Sequence, residues 1–156
     1  GTSWPLSWRR PKMAVFLDAN VFLYAAGTDP LRSEPCRAIL RSVQEGRVAA
    51  CTSTEVVQEV LHVVSRRLGV AAAVVAAEAV LDLVPVPIAV TAAVMRRALV
   101  VLGSAPGVSV RDAVHAAAMA EVSCTTIVSA DKHFDLIAGL RRIDPLDAQA
   151  VMAWLG

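Results

Sequence analysis

Asp and Glu together account for fourteen of the 156 residues, and four of these acids stand where acidic chemistry could be assembled. Asp18 directly follows the apolar run Ala14-Val15-Phe16-Leu17, and Asp131 follows the β-rich run Thr125 to Ser129 after a single alanine. Continuous apolar runs of this length suit strands buried on both faces in a parallel sheet. In open α/β sheets the functional crevice lies beyond the carboxyl ends of the strands, so both carboxylates belong at one edge. Placed together they repel and raise each other's pKa unless a cation lies between them. A hard divalent metal ion answers that requirement.

Two further acids lie on predicted helices. Glu59 follows Glu55 by one turn, and such a like-charge pair costs a few tenths of a kcal/mol. Glu55 fits a reciprocal cap in Thr52-Ser53-Thr54-Glu55, whereas Glu59 has no local explanation except a solvated face near His62 or Arg66. Asp112, third after a Ser109 cap, suits a helix N-terminus without any further role. Its small apolar successors nevertheless press that helix against another element. His62, His115 and His133 lack the H-x-x-x-H spacing of a zinc helix, and His115 reads first as a core or supporting histidine near Asp112. Arg66-Arg67, Arg96-Arg97 and Arg141-Arg142 read as solvated ends, with one or two available for phosphates.

The elements that must position these residues alternate. Strands are expected at Ala14 to Leu17, Val48 to Cys51 and Thr125 to Ser129, with a proline-marked run at Val84 to Ile88 and an edge strand at Arg141 to Ile143. Between them, helices are expected from the Ser33-Glu34-Pro35 cap to Gly46, from the Thr52 cap to Gly69, from Ala71 to Leu83, from Ala92 to Leu102 after a Thr91 cap, and onward from Ser109. This order predicts an α/β fold with a mostly parallel sheet. Residues 1–12, with Trp4, Pro5, Trp8 and Pro11, have no period and are expected to be a leader or appended remnant. Residues 13–156 are then a single domain ending in a C-terminal helix.

Composition narrows the class. With 56% apolar and 19% charged residues the chain has the hydrophobicity of a folded core and not of a disordered segment. No run reaches the roughly 18 uninterrupted apolar residues of a spanning helix, and the N-terminal basic residues precede no long apolar stretch, so a cytoplasmic protein is expected. Cys36, Cys51 and Cys124 are odd in number and set among apolar residues, which favours reduced, buried thiols. The +1 net charge advertises no polyanion partner. Setting aside the four candidate acids, however, leaves fifteen basic against ten acidic residues, a mildly cationic shell around an acidic centre.

In order and context, Asp18, Glu59, Asp112 and Asp131 resemble the acids of the PIN-domain nucleases, and within these the VapC-like toxins of bacterial toxin–antitoxin pairs. The segments that carry the likeness are Phe16-Leu17-Asp18-Ala19-Asn20-Val21-Phe22-Leu23-Tyr24, Thr52 to Val60, Ser109-Val110-Arg111-Asp112-Ala113-Val114-His115-Ala116, and Ile127-Val128-Ser129-Ala130-Asp131-Lys132-His133-Phe134-Asp135. The resemblance covers roughly residues 13 to 145. The resemblance implies a PIN-like α/β/α sandwich with a central sheet of about five strands, and a Mg²⁺- or Mn²⁺-dependent ribonuclease. Asp18 and Asp112 would bind metal directly, and Glu59 and Asp131 would hold metal or its waters. Asn20, Ser129, Asp135 and His115 would support the site, with Asp131 and Asp135 both available as the fourth acid. It further implies an RNA substrate, a small cognate antitoxin and a homodimer, the stretch Val70 to Val80 being available to either interface. One departure stands out: Ala19 occupies the place where the family usually carries Thr or Ser, so the alternative is a catalytically weak PIN-like module that binds RNA or protein.

Overall fold

The computed structural model describes residues 14–156, so the expected leader at 1–12 lies outside the described residues. Four strands, β1 (Val15–Leu17), β2 (Ala50–Cys51), β3 (Thr126–Val128) and β4 (Arg141–Ile143), form one sheet in the order β2-β1-β3-β4. Every pairing in it is parallel, with Phe16 opposite Cys51 on one side and Ile127 on the other. Seven α-helices flank it among the described residues: α1 (Ala19–Ala26), α2 (Pro30–Gln44), α3 (Thr54–Leu68), α4 (Val70–Leu83), α5 (Ala92–Ser104), α6 (Val110–Glu121) and α7 (Ala148–Leu155). None is long and apolar enough to cross a membrane.

The fold class is the expected one, with four strands where about five were expected. The Val84 to Ile88 run contributes a single parallel bridge, Ser53 to Ile88. Ile88 donates its N–H to Thr52 and accepts from Thr54, but Pro85 and Pro87 have no N–H with which to extend the ladder.

Several element starts differ from the sequence reading for local reasons. Helix α1 occupies a segment without a predicted helix: the Asp18 carboxylate accepts from the Ala19 N–H as its cap. Helix α2 starts at Pro30 under an Asp29 cap, earlier than Ser33, and Pro35 lies in its second turn. In α3 the cap is Ser53, accepting from the Val56 N–H, while the Thr52 hydroxyl donates to the Leu17 carbonyl. Glu55 is therefore no reciprocal cap; it lies 3.7 Å from Arg111. Thr91 and Ser109 cap α5 and α6 as expected.

The core centres on β1 and β3, where Phe16, Leu17, Ile127 and Val128 are fully buried. Helix α6 is buried continuously from Asp112 to Met119. Ala113, Ala116, Ala117 and Ala118 make this possible, because small side chains let neighbouring backbones approach on several sides. The stretch from Val70 to Val80 divides: Ala73, Ala77 and Val80 are core, while Val70, Val74 and Val75 face outward. Cys36 and Cys124 are buried free thiols, whereas Cys51 is only half-buried.

Candidate active site

Strand order places the site. From β1 the chain crosses to β2 on one side, while β3 lies on the other, so the carboxyl ends of β1 and β3 flank a point where the connections diverge. Asp18 leaves β1 there and Ser129 leaves β3, and the Asp18 N–H donates to the Val128 carbonyl at 3.1 Å.

Asp18 is held on several sides. Besides the Ala19 N–H at 2.7 Å, its other carboxylate oxygen accepts from the Ser129 hydroxyl at 2.6 Å and from the Asn20 amide at 3.1 Å. Asn20 also donates to Ser129 and accepts from the Ala130 N–H, and Ser129 accepts from the Asp131 N–H. Burial pushes the Asp18 carboxyl above its ordinary value, a push that nearby His115 and the Ser129 hydrogen bond reduce without cancelling.

Glu59 and His115 complete this inner half. Arg111 donates to one Glu59 oxygen at 3.2 Å, and the other, Oε2, is buried with no hydrogen-bond partner. The His115 Nε2 lies 3.5 Å from that oxygen and 3.6 Å from an Asp18 oxygen. Burial raises the Glu59 carboxyl, but His115 and then Arg111 outweigh it and hold the group below the usual glutamate value.

In the outer half, Asp112 enters from the first turn of α6 and Asp131 caps the 3₁₀ turn Lys132–Leu136. Burial, reinforced by Asp131 and Asp18, pushes the Asp112 carboxyl up to about 6. Asp131 accepts from the His133 N–H at 2.9 Å and pairs with the His133 ring at 2.7 Å. These contacts, together with Asp112, overcome its own burial and hold it below the ordinary aspartate value. Donor atoms of Asp112, Asp131 and His133 lie within 4.8 Å of one another, as do those of Asp18, Glu59 and His115.

The structure thus brings Asp18, Glu59, Asp112 and Asp131 to one edge, with Asn20, Ser129 and His115 packed around them. Asp135 is elsewhere engaged: both its oxygens accept from Arg142, at 3.0 and 3.1 Å. Arg142 also donates to the Ser129 carbonyl, so it is a clamp on the end of β3 and not a solvated end. Sequence reasoning assigned nothing to Arg111. Its signal was electrostatic: a cation in the first turn of a helix opposes the helix dipole and needs carboxylates nearby, here Glu55 and Glu59.

A model of the PIN domain matches residues 15–140. The chain belongs to the PIN-domain family. It is 34% identical over 149 residues to Ribonuclease VapC7 of Mycobacterium tuberculosis, covering 91% of this chain and 98% of that protein. It is also 30% identical over 132 residues to Ribonuclease VapC13 of the same species, covering 83% and 98%. Among solved structures, FitAcB from Neisseria gonorrhoeae superposes with a TM-score of 0.67 at 20% identity, covering 85% of this chain and 99% of that one. VapBC2 from Rickettsia felis, bound to a DNA fragment from their promoter, superposes at 0.65 with 17% identity, covering 85% and 100%. At these identities the structural likeness speaks to the fold.

Proposed function

We propose that this chain is a divalent-metal-dependent endoribonuclease of the cytoplasm, the toxin of a toxin–antitoxin pair. The observation that carries the reading is the convergence of Asp18, Glu59, Asp112 and Asp131 at the β1/β3 edge, in a chain whose relatives named above are ribonucleases. The donor set fits a hard cation. Its oxygens are carboxylate, burial raises the Asp18 and Asp112 carboxyls, and Glu59 Oε2 has no hydrogen-bond partner. Mg²⁺ or Mn²⁺ held by Asp18 and Asp112, with Glu59 and Asp131 on the metal or its waters, would supply polarisation of the phosphodiester and acidification of a water.

The protein's own part is positioning. Ser129, Asn20 and the Ala19 N–H fix the Asp18 carboxylate, so little ordering remains when substrate arrives. Arg111, half-exposed and held to Glu59, leaves its remaining guanidinium donors for an RNA phosphate beside the acids. Because Ser129 and Asn20 hold Asp18 directly, the hydroxyl absent at Ala19 is not needed for this fixation. That favours an active enzyme over the binding module.

The antitoxin and a homodimer belong to the same reading. A half-open apolar pocket of about 230 Å³, lined by Phe22, Leu40, Val60, Val64, Val80 and Leu83 among others, would seat an apolar antitoxin segment. Outward-facing Val70, Val74 and Val75 offer apolar surface to a second copy.

The decisive assay is cleavage of a mixed RNA pool by purified chain in Mn²⁺ or Mg²⁺. Wild type is expected to cut, and Asp18→Asn and EDTA-treated protein are not. Equal cutting by all three would sink the reading, whereas RNA binding without cutting under every condition would move it to the binding module. Expression alone is expected to arrest growth, with relief by a small neighbouring gene.

A further inference from the structure

The ring of His115 is 1% exposed, yet neither of its nitrogens has a hydrogen-bond partner. Buried imidazoles are ordinarily paired, because one nitrogen donates and the other accepts, and both are costly to strip of water. Phe16 and Phe134 flank the ring, with centroids 5.7 and 6.4 Å away, and fix its direction. Nε2 is thereby aimed between Asp18 and Glu59.

The distances decide what that aim can mean. At 3.5 and 3.6 Å from the two carboxylate oxygens, Nε2 is at or beyond the limit of a hydrogen bond. Bonds of about 2.0–2.2 Å to one ion, however, set neighbouring donors about 3–3.5 Å apart. Glu59 Oε2 is likewise buried without a hydrogen bond, so nitrogen and oxygen lack the same thing. His133 differs: it is exposed and its Nδ1 already engages Asp131.

We propose that His115 is a direct nitrogen ligand to a divalent ion shared with Asp18 and Glu59. This makes the inner half of the site a mixed imidazole–carboxylate seat that favours Mn²⁺ or a later first-row ion over Mg²⁺. The inference rests on the metal-dependent reading above. It adds a selectivity that four carboxylates alone would not impose, since imidazole suits transition ions whereas Mg²⁺ prefers oxygen.

The test is pulsed electron paramagnetic resonance of the full chain loaded with Mn²⁺. Modulation from a coordinated ¹⁴N is expected in wild type, retained in His133→Asn and lost in His115→Gln, with Mn²⁺ affinity falling about tenfold or more and Mg²⁺ affinity changing less. Should His115→Gln fail to fold, the His62→Asn/His133→Asn double variant leaves His115 as the sole histidine. Labelling it with ¹⁵N-histidine must then replace the ¹⁴N pattern. Bound Mn²⁺ without nitrogen modulation overturns this inference and leaves a carboxylate-only nuclease standing. Absence of any Mn²⁺ or Mg²⁺ binding overturns both.

Discussion

The inner and outer halves of the acidic centre have the same composition, two carboxylates and a histidine each, and differ in which of these side chains find hydrogen-bond partners. In the inner half, Asp18, Glu59 and His115 converge in a largely buried space where an oxygen and two nitrogens make no hydrogen bond. In the outer half, Asp131 is supplied with a backbone N–H and an imidazole by His133, and its exposure leaves water to do the rest. Like residues therefore differ in what they lack. The inner half leaves buried donor atoms without hydrogen bonds, whereas in the outer half Asp131 is paired by His133 and Asp112 is left pressed against a second carboxylate.

The largest effect is expected from breaking the inner half. Asp18→Asn keeps a competent helix cap but removes a buried charge, so RNA cleavage should fall by about a hundredfold or more. Melting temperature in EDTA should not fall, because burial already works against the ionised form. A large loss of stability alongside the loss of activity would mean that Asp18 is structural first.

Ser129→Ala tests the link between the halves, since this hydroxyl donates to Asp18 and accepts from the Asp131 N–H. Cleavage is expected to drop roughly 10- to 100-fold, in line with losing a partner that orients a metal-binding group. Unchanged cleavage would show that Asp18 is oriented by Asn20 and Ala19 alone.

The pH dependence sharpens the outer half. Asp112 titrates near 6 in the folded chain, above its ordinary 3.8, so the folded state holds this proton more tightly than the unfolded state. In EDTA its contribution to stability is absent as a cost below about pH 4, worsens as pH rises through about 6, and is a full cost above that. Metal affinity runs the other way, because the carboxylate must be ionised to bind. At about pH 5 the affinity should be about tenfold below its value near pH 7.5. Calorimetric titration of Mn²⁺ into wild type and Asp112→Asn checks this, the variant being weaker but flatter with pH.

The smallest effect is expected at Asp135, which is tied to Arg142 and not to the acids. Asp135→Asn should leave cleavage within about twofold, as an exposed ion pair contributes little. Asp131→Asn, by contrast, should cost about tenfold or more. The reverse ranking in one cleavage assay would exchange their roles.

Much of this is legible in the amino-acid sequence alone. Apolar runs ending in Asp18 and Ser129 marked the strand ends, and Thr91 and Ser109 marked helix starts, because these signals are local. Helix α1 was not legible, since Ala19 to Ala26 has the apolar character of a buried strand as much as of a helix, and its cap is the candidate acid itself. The choice between Asp131 and Asp135 was equally hidden. They are four residues apart, and only the placement of Arg142 beside one and Asp112 beside the other separates them.

The sequence by itself determined the class of fold, the family and the supply of acids at strand and helix ends, all properties of short stretches. Tertiary structure decided which acids meet, which are buried and which already have partners. Ser129 reaches Asp18 across 111 positions of chain, and Arg111 reaches Glu59 across 52. Burial and charge proximity, the quantities that move a carboxyl from its ordinary value, arise only when such distant segments pack together.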